Sequence, residues 1–183
     1  MTGTTTLSAA ERLRLRPARG SELPMLARML EDARLRLRAL GLTQWQSGYP
    51  NEETLAADLS AGRLLVLARE GGAPLAAGAL CFGEEESYRA IEGAWRGASP
   101  YATVHRLFTA REALRGGCAQ EWLRQAQVLC RARGATCLRA DTHRGNAPMR
   151  ALLETAGFAL CGVIRLCGTP EPDPERLAYE KIL

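Results

Sequence analysis

The sequence predicts a single α/β domain that spans residues 1–183. Three observations lead to this fold class. The length of 183 residues is enough for one complete hydrophobic core. Segments with the alternation of β-strands are interleaved with segments that carry the spacing of amphipathic helices. Neither an internal repeat nor a low-complexity linker divides the chain, so one layered domain accounts for all of it.

The composition is that of an ordinary globular protein, with 46% hydrophobic residues, 24% charged residues and a formal net charge of +4. No block of five or six like charges occurs, which argues against a nucleic-acid partner. The opening segment MTGTTTLSAAERLRLR lacks the apolar region of a signal peptide. No run approaches the roughly 18 apolar residues of a membrane span, so we expect a cytoplasmic protein without membrane contacts.

The cysteine pattern predicts neither a disulfide nor a metal site. None of the six cysteines belongs to a Cys-x-x-Cys pair. Several lie within apolar runs, where a reduced thiol behaves as a small hydrophobic side chain. We therefore expect most of them to be buried core residues. They are Cys81, Cys118, Cys130, Cys137, Cys161 and Cys167.

The N-terminal third predicts one strand followed by two helices. Residues 12–19 alternate as in a strand. Apolar residues then recur at helical spacing over residues 23–40, with Ser21 as the expected N-cap and Gly41 as the stop. A polar, aromatic loop precedes a second, short helix that Asn51 is expected to cap.

The middle of the chain predicts three strands. Residues 63–70 and 74–83 have the pattern of two strands joined by a Gly-Gly-Ala hairpin turn. Residues 84–100 leave two possibilities open, a loop or an edge hairpin, and we expect residues 84–86 to form a solvated acidic turn. Residues 101–110 form a strongly predicted strand.

The last part of the chain alternates helices and strands. The predicted segments are a helix at 117–133, a strand at 136–143, a helix at 146–157, a strand at 158–166, a proline-rich loop at 167–176 and a strand at 177–183. Gly134 and Gly157 are expected to end the two helices, and Pro148 lies in the first turn of the second.

The stretch TAREALRGGCAQEWL places two glycines between a strand and a helix. The first amides of a helix have no intrahelical partner, and the helix dipole adds positive charge there, so an anion can bind. Arg111 or Arg115 could neutralise such an anion. The spacing matches neither the P-loop nor the dinucleotide fingerprint. These residues alone leave an anion cradle and a bare tight turn equally open.

Read together, residues 101–164 resemble the core of the GNAT-family N-acetyltransferases. The family's cofactor loop has the form Arg/Gln-x-x-Gly-x-Gly/Ala, and residues 114–119 (LRGGCA) match it without gaps. The later segment DTHRGNAPM…LLETAGF is similar to the family's second cofactor motif. The N-terminal strand, helix pair and hairpin also fit, so the resemblance covers nearly the full chain.

The resemblance implies a mixed, splayed central sheet flanked by helices. It implies transfer of an acetyl group from acetyl-CoA to a primary amine, on a small molecule or a protein N-terminus, by direct attack in a ternary complex. A catalytically weak GNAT-fold module that only binds acyl-CoA is the first alternative. An unrelated α/β phosphate-binding domain is the second. A homodimer is a further expectation from the family.

The resemblance also places acetyl-CoA in the gap between the strands at 101–110 and 136–143. The pantetheine arm would add to the first of these strands like a further strand, and the pyrophosphate would lie on the amides after Leu114. The implied cofactor contacts are Leu107, Phe108, Thr109, Leu114, Arg115, Gly116, Gly117, Cys118, Ala119, Asn146 and Met149.

Two positions depart from the family pattern. Leu114 stands where the cofactor loop usually has Arg or Gln, although its amide remains and Arg115 supplies a charge one position later. Leu153 stands where the family often has a Tyr that protonates the departing thiolate. A free thiol has a pKa near 8.5, so the thiolate is a tolerable leaving group without that acid. Cys118, at a helix start, could have a lowered pKa, but we expect its side chain in the core.

The reaction needs a base, because an amine must lose its proton before it attacks. The candidates are Glu92, His105, Asp141 and His143, and each has an alternative structural role. By strand alternation, His105 is predicted to share a face with Thr103, Leu107 and Thr109. Asp141 and His143 end the next strand on one face, and Asp141 could instead accept from the turn at Asn146.

Three aromatic residues are candidate substrate contacts. Trp45 and Tyr49 lie in the loop at residues 43–50, which often roofs the acceptor pocket in this family. Trp95 lies in the segment before the central strand, where the family also places substrate contacts. Each of the two loop aromatics could equally be a buried anchor of its own loop.

Overall fold

A computed structural model describes residues 12–183 as one eight-stranded sheet with helices packed on it. The strands are β1 (Arg14–Pro17), β2 (Leu64–Ala68), β3 (Pro74–Phe82), β4 (Glu92–Gly93), β5 (Tyr101–Thr109), β6 (Cys137–Thr142), β7 (Ala159–Arg165) and β8 (Glu175–Ile182). The helices are α1 (Leu23–Ala39), α2 (Glu52–Ser60), α3 (Cys118–Ala132) and α4 (Ala147–Thr155). The predicted order of elements is confirmed over this range. No described helix has both the length and the apolar character that crossing a membrane requires.

The sheet is mixed, and its one parallel contact creates an opening. The strand order is β1-β2-β3-β5-β6-β8-β7-β4, and only β5 and β6 run parallel. Their pairing covers Tyr101–Val104 against Cys137–Ala140, and each strand then continues without the other. The two carboxyl ends therefore diverge and leave a wedge-shaped gap, as a splayed sheet requires.

A β-bulge in β5 shifts the faces of its second half. Ala79 lies opposite His105 and Ala77 lies opposite Phe108, so two residues of β5 face only Gly78. Arg106, the first of the two, has a φ of 52°. The prediction that His105 shares a face with Leu107 and Thr109 is wrong, because the extra residue reverses the alternation and brings Phe108 to the face of His105.

The core is formed where α3 packs on the sheet. Trp122 of α3 is fully buried, and its indole N–H donates to the carbonyl of Leu65 at 3.2 Å. A side chain at Gly78 would lie 3.1 Å from the Trp122 ring and 3.3 Å from the Leu107 backbone, so only glycine lets the helix approach this closely. Four of the six cysteines are buried, Cys161 is half-buried and Cys167 is exposed, which confirms the prediction for most of them.

Of the two N-caps predicted in the N-terminal half, the structure confirms one and contradicts the other. Asn51 caps α2 as predicted, since its Oδ1 accepts from the Thr54 amide at 2.9 Å. The prediction that Ser21 caps the first helix is wrong, because a short 3₁₀ turn precedes α1. Glu22 caps that turn through the Arg19 amide at 2.8 Å, and its carboxylate also pairs with Arg16 at 2.7 Å. The hydrogen bonds from Arg16 hold the pKa of Glu22 below its ordinary value.

The segment at residues 84–100 is an irregular connection with a short edge strand. A 3₁₀ turn covers Glu86–Tyr88, and β4 pairs antiparallel with β7 at the edge of the sheet, with Glu92 opposite Val163. The segment is neither a plain loop nor an edge hairpin. β4 pairs with a strand about seventy residues later in the chain, not with a strand of its own segment.

Candidate active site

A cleft of about 1000 Å³ opens where β5 and β6 separate. One end, the glycine end, is formed by residues 114–119 at the start of α3. The other, the carboxylate end, contains Glu85, His105, Asp141 and Glu171. The cleft therefore joins the predicted cofactor loop to several of the charged residues of the domain.

The glycine end presents unpaired backbone amides. Gly117 is the N-cap of α3 with a φ of 74°, and the helical ladder begins with the bond from the Glu121 amide to the Gly117 carbonyl at 2.9 Å. Arg115 also adopts a left-handed conformation, with a φ of 59°. The amides of Arg115 and of residues 117–120 find no acceptor within the described part of the chain. These amides and the helix dipole suit an anion.

The predicted cofactor residues are brought together with one exception. Those that line the cleft are Leu107, Phe108, Thr109, Leu114, Arg115, Gly117, Cys118, Ala119, Asn146 and Met149. Gly116 does not line it, and its amide donates to the Ala113 carbonyl at 3.2 Å. Leu114 places a 41% exposed apolar side chain at the mouth of the cleft, where the family usually has a polar one.

Two cations, Arg36 and Arg115, line the cleft near the glycine end, and Arg111 does not line it. Arg36 of α1 donates to the Thr109 carbonyl at 2.9 Å, and burial lowers the pKa of its guanidinium. Arg115 forms no ion pair with any residue in 12–183, so its charge is free for a ligand. Cys118 is buried in the core as predicted. Burial raises the pKa of its thiol, so the lowered value considered from the sequence is wrong.

Asn146 is a structural cap at the opposite wall. Its Oδ1 accepts from the Met149 amide at 3.2 Å, and its Nδ2 donates to Gln44 at 3.2 Å. Both amide side chains are buried and both line the cleft. Leu153 of α4 is also buried in this wall, so α4 presents no hydroxyl at that position.

The carboxylate end is centred on a pair of His105 and Glu85. His105 Nε2 lies 2.6 Å from Glu85 Oε1. Burial raises the pKa of Glu85, but the hydrogen bond from His105 and nearby positive charges outweigh it and hold that pKa below its ordinary value. The Glu85 amide donates to the Tyr101 hydroxyl at 2.8 Å. The prediction of a solvated acidic turn is wrong for Glu85 and holds for Glu84 and Glu86, which are exposed.

Asp141 lines the cleft beside this pair. It accepts the hydroxyl of Tyr88 at 2.7 Å rather than a donor from the turn at Asn146. Tyr88 is 2% exposed, and burial together with the Asp141 charge raises its pKa well above the ordinary value. Arg176 lies 4.0 Å from Asp141 and pairs with the buried Glu171 at 2.9 Å.

His143 and Asp141 make hydrogen bonds to different partners and do not bond to each other. Its Nδ1 accepts from the Gly145 amide at 3.0 Å, so its Nε2 carries the proton and bonds to Asp173 at 3.0 Å. The ring is not among the side chains that line the cleft. His143 therefore ties the proline-rich loop to the end of β6.

Glu92 and Trp95 do not reach the cleft. Glu92 is an exposed residue of the edge strand β4. The Trp95 indole donates to the Tyr88 carbonyl at 3.0 Å, and its ring lies 4.1 Å from the guanidinium of Arg139. The structure places Trp95 in a packing role under the connection that carries Glu85.

Trp45 and Tyr49 both line the cleft and are held by polar contacts. The Trp45 backbone, with a φ of 66°, donates to Glu171 at 2.9 Å and accepts from Arg34 at 2.9 Å. The Tyr49 hydroxyl accepts from Arg106 at 2.8 Å. Arg106 also makes two bonds of 2.9 Å to Asp58, so the roof over the cleft is joined to the bulge of β5.

Sequence reasoning missed several polar and charged residues that line the site or bond to the residues that line it. They are Asp58, Arg63, Glu85, Tyr88, Arg106, Glu171 and Arg176. Their partners lie 20 to 57 residues away in most cases, and no spacing rule connects them. The clustered charges of the segment TPEPDPER, which leads from the loop after β7 into the start of β8, are a local signal for part of this set.

A mixed sheet that splays beside a helix start with free amides is the architecture that the resemblance implied. The sequence model of the acetyltransferase (GNAT) family matches residues 27–158. The chain therefore belongs to the GNAT family of acetyltransferases, which are acyltransferases that transfer groups other than aminoacyl groups and use acetyl-CoA. No curated protein matches the sequence.

Solved structures agree with this assignment. A GNAT-family acetyltransferase from Streptococcus agalactiae 2603 is 32% identical, with a TM-score of 0.83 over 94% of this chain and 96% of that chain. The ribosomal-protein-alanine N-acetyltransferase of Brucella melitensis is 24% identical, with a TM-score of 0.63 over 93% and 99% of the chains. YncA of Salmonella typhimurium, solved with its cofactor acetyl-CoA, is 15% identical, with a TM-score of 0.65 over 93% and 94%. The last two similarities concern the fold alone.

Proposed function

We propose that the protein transfers an acetyl group from acetyl-CoA to a primary amine by direct attack within a ternary complex. The observation that carries this proposal is the joining of two features in one cleft. Amides and an Arg115 side chain that have no partner within residues 12–183 lie at one end, and the hydrogen-bonded pair of His105 and Glu85 lies at the other.

The cofactor would enter from the glycine end. Its pyrophosphate would lie on the amides between Arg115 and Ala119, with Arg115 as counter-charge. The pantetheine arm would run along β5 from Thr109 towards Leu107, on the edge that β6 leaves free beyond Val104. The thioester would then reach the region of His105.

His105 is the best placed of the four candidate bases. Glu85 is ionised, because its pKa is lowered, so Nε2 of His105 must carry the proton that bonds to it. In the neutral form of this ring, the other nitrogen, Nδ1, carries no proton and can accept one from the incoming ammonium group. Glu85 stabilises the imidazolium that results, which makes it a positioning residue for His105.

The chemical step follows from that proton transfer. The neutral amine attacks the thioester carbonyl, a C–N bond forms, and the C–S bond breaks to release the CoA thiolate. The second proton of the attacking nitrogen passes to solvent as the amide forms. Leu153 provides no acid for that thiolate, which can depart unprotonated because its conjugate thiol has a pKa near 8.5. No covalent acyl-enzyme is required.

The charges at the carboxylate end favour a cationic acceptor. Four carboxylates (Asp58, Glu85, Asp141 and Glu171) meet three guanidinium groups there, and two of those three are fully engaged in close ion pairs. An ammonium group would therefore enter a region of net negative charge. Small amines and peptides with a free N-terminus both satisfy this requirement.

The test measures thiol release from acetyl-CoA with a panel of small amines and N-terminal peptides. With the best acceptor, His105→Ala should lower kcat by about 100-fold or more, the usual contribution of a general base. Glu85→Gln should also lower kcat, with the KM for acetyl-CoA unchanged, since Glu85 acts through His105 and lies away from the cofactor loop.

Glu92→Gln is the matched control, because Glu92 is exposed outside the cleft and its substitution should change kcat by less than about twofold. Full activity in both His105→Ala and Glu85→Gln would remove His105 from the mechanism. If the protein binds acetyl-CoA but releases no thiol with any amine, the alternative of a module that only binds acyl-CoA is favoured. Leu114 and Leu153, which depart from the family pattern, are the residues that support this alternative.

A further inference from the structure

We propose that Cys81, Glu85 and His105 form a binding site for a divalent transition-metal cation such as Zn²⁺. The thiol sulfur, one carboxylate oxygen and one imidazole nitrogen all lie within 4.8 Å of one another. All three side chains line the cleft, so a cation can enter from solvent. No sequence motif marks these ligands, because they come from two strands and a connection.

The fold holds the three ligands in place. Cys81 of β3 lies opposite Thr103, and His105 of β5 lies opposite Ala79, so their side chains are diagonal neighbours on one face of the sheet. Glu85 follows the turn after β3, and its backbone is fixed by the bond to the Tyr101 hydroxyl. The site is thus built on paired strands, which makes its geometry well defined.

The donor set suits zinc. Thiolate, imidazole and carboxylate are the ligands that Zn²⁺ prefers, and three protein ligands leave a fourth position for water. Zinc bond lengths put tetrahedral ligand atoms about 3.5 Å apart. Side-chain rotation would therefore open the 2.6 Å contact of His105 with Glu85 and draw Cys81 inward.

Binding exchanges a proton for the metal. The thiol of Cys81 gives its proton to solvent and forms a metal–sulfur bond. His105 binds as neutral imidazole, with its one proton on the ring nitrogen that does not bind the metal, and no oxidant takes part. Arg106 and Arg63 are the cations on this side of the cleft, and both contact Asp58, at 2.8 and 3.4 Å, so that carboxylate offsets one of the two charges. The thiolate and Glu85 together then balance the charge of the ion.

A bound cation would inhibit acetyl transfer. This consequence rests on the proposed function, since the ion would take a nitrogen of His105 and fill the carboxylate end. Cation binding itself does not depend on that function.

The experiment titrates the metal-free full chain with Co²⁺ and follows thiolate-to-cobalt charge-transfer absorption. The wild type should develop the band, and Zn²⁺ should displace it. Cys81→Ser should abolish the band, and Glu85→Gln should weaken the affinity by at least tenfold. Cys161→Ser, a half-buried cysteine outside the cleft, should leave the band unchanged.

Absence of the band in the wild type would overturn the proposal. So would a band that Cys81→Ser retains and Cys167→Ser loses, since the exposed Cys167 would then be the ligand. Circular dichroism checks that each variant is folded, and Cys81→Ala replaces Cys81→Ser if the latter is not. A cobalt band in a protein that acetylates no amine would sustain this proposal and reject the proposed function.

Discussion

At the scale of single residues, Arg139 shows how a buried charge organises the segment before β5. Its guanidinium pairs with Glu180 at 2.8 Å and stacks 3.9 Å from the ring of Tyr101. The other oxygen of Glu180 accepts the amides of Arg96 and Gly97 at 2.6 and 2.7 Å. Burial raises the pKa of Glu180, but the bonds from Arg139 and these amides outweigh it, so the pKa is lowered.

We expect Glu180→Gln to destabilise the protein by about 3–5 kcal/mol at neutral pH, because it leaves the buried Arg139 charge uncompensated. A carboxylate with a lowered pKa stabilises the folded state above its unfolded pKa of about 4.3. That contribution is lost as the pH falls through the folded pKa. The difference in unfolding free energy between wild type and variant should therefore be constant above about pH 5 and shrink below about pH 4.

Urea unfolding at several pH values measures this difference. Glu84→Gln is the control, because Glu84 is an exposed glutamate whose removal should cost less than about 0.5 kcal/mol. A pH-independent difference would mean that Glu180 is not an ionised partner of Arg139.

Arg115 is the residue that decides whether the cofactor loop works without the usual side chain at Leu114. Arg115→Ala should weaken CoA binding by about 10-fold or more, since a hydrogen bond to a charged group is worth about 1.5–3 kcal/mol. Leu114→Arg in that background should restore most of the affinity. Isothermal titration of CoA measures both, with Arg131→Ala at the far end of α3 as the control. Unchanged affinity in Arg115→Ala would show that the amides suffice.

At the scale of elements, the start of α3 and the end of β5 determine the shape of the cleft. The bulge at Arg106 and the short pairing with β6 separate the strands, while Gly117 turns the chain into the helix with its amides exposed. These features come from one continuous stretch of chain, which explains why the cofactor end has a local sequence signal.

Gly117→Trp should abolish CoA binding, because its side chain would fill the space over the amides. Gly134→Trp is the matched control: Gly134 ends the same helix with a φ of 79°, also with no heavy atom within 4 Å of an added Cβ. Both variants carry similar backbone strain, about 1–2 kcal/mol, so their stabilities should be comparable. Isothermal titration should show that Gly117→Trp binds CoA at least tenfold more weakly than Gly134→Trp does. Equal affinities would refute the placement of CoA at the start of α3.

At the scale of the whole molecule, the cleft is assembled from segments far apart in the chain. α1 supplies Arg36, the loop after it supplies Trp45 and Tyr49, and the proline-rich loop supplies Glu171. A ligand that fills the cleft would bridge all of these segments and should stabilise the fold as a unit.

Acetyl-CoA at 100 times its dissociation constant should therefore add about 2.7 kcal/mol of stability. For a domain of this size that corresponds to an increase in Tm of about 5–10 °C. CoA should produce a similar shift and ATP a much smaller one in thermal-shift measurements. A larger shift with ATP than with CoA would favour a general phosphate-binding domain.

The sequence by itself determined the order of the elements, the positions of α2, α3 and α4, and the glycine turn at residues 114–119, which stays a predicted cofactor loop. These features depend on neighbours in the chain: alternation, helical spacing, caps such as Asn51, and glycine turns. Only the tertiary structure decided the pairing of His105 with Glu85, of Tyr88 with Asp141, and the bulge at Arg106. These features depend on which strands lie side by side and in which register. The two pairs join residues 20 and 53 positions apart, and contacts over such distances produce no periodic pattern in the sequence.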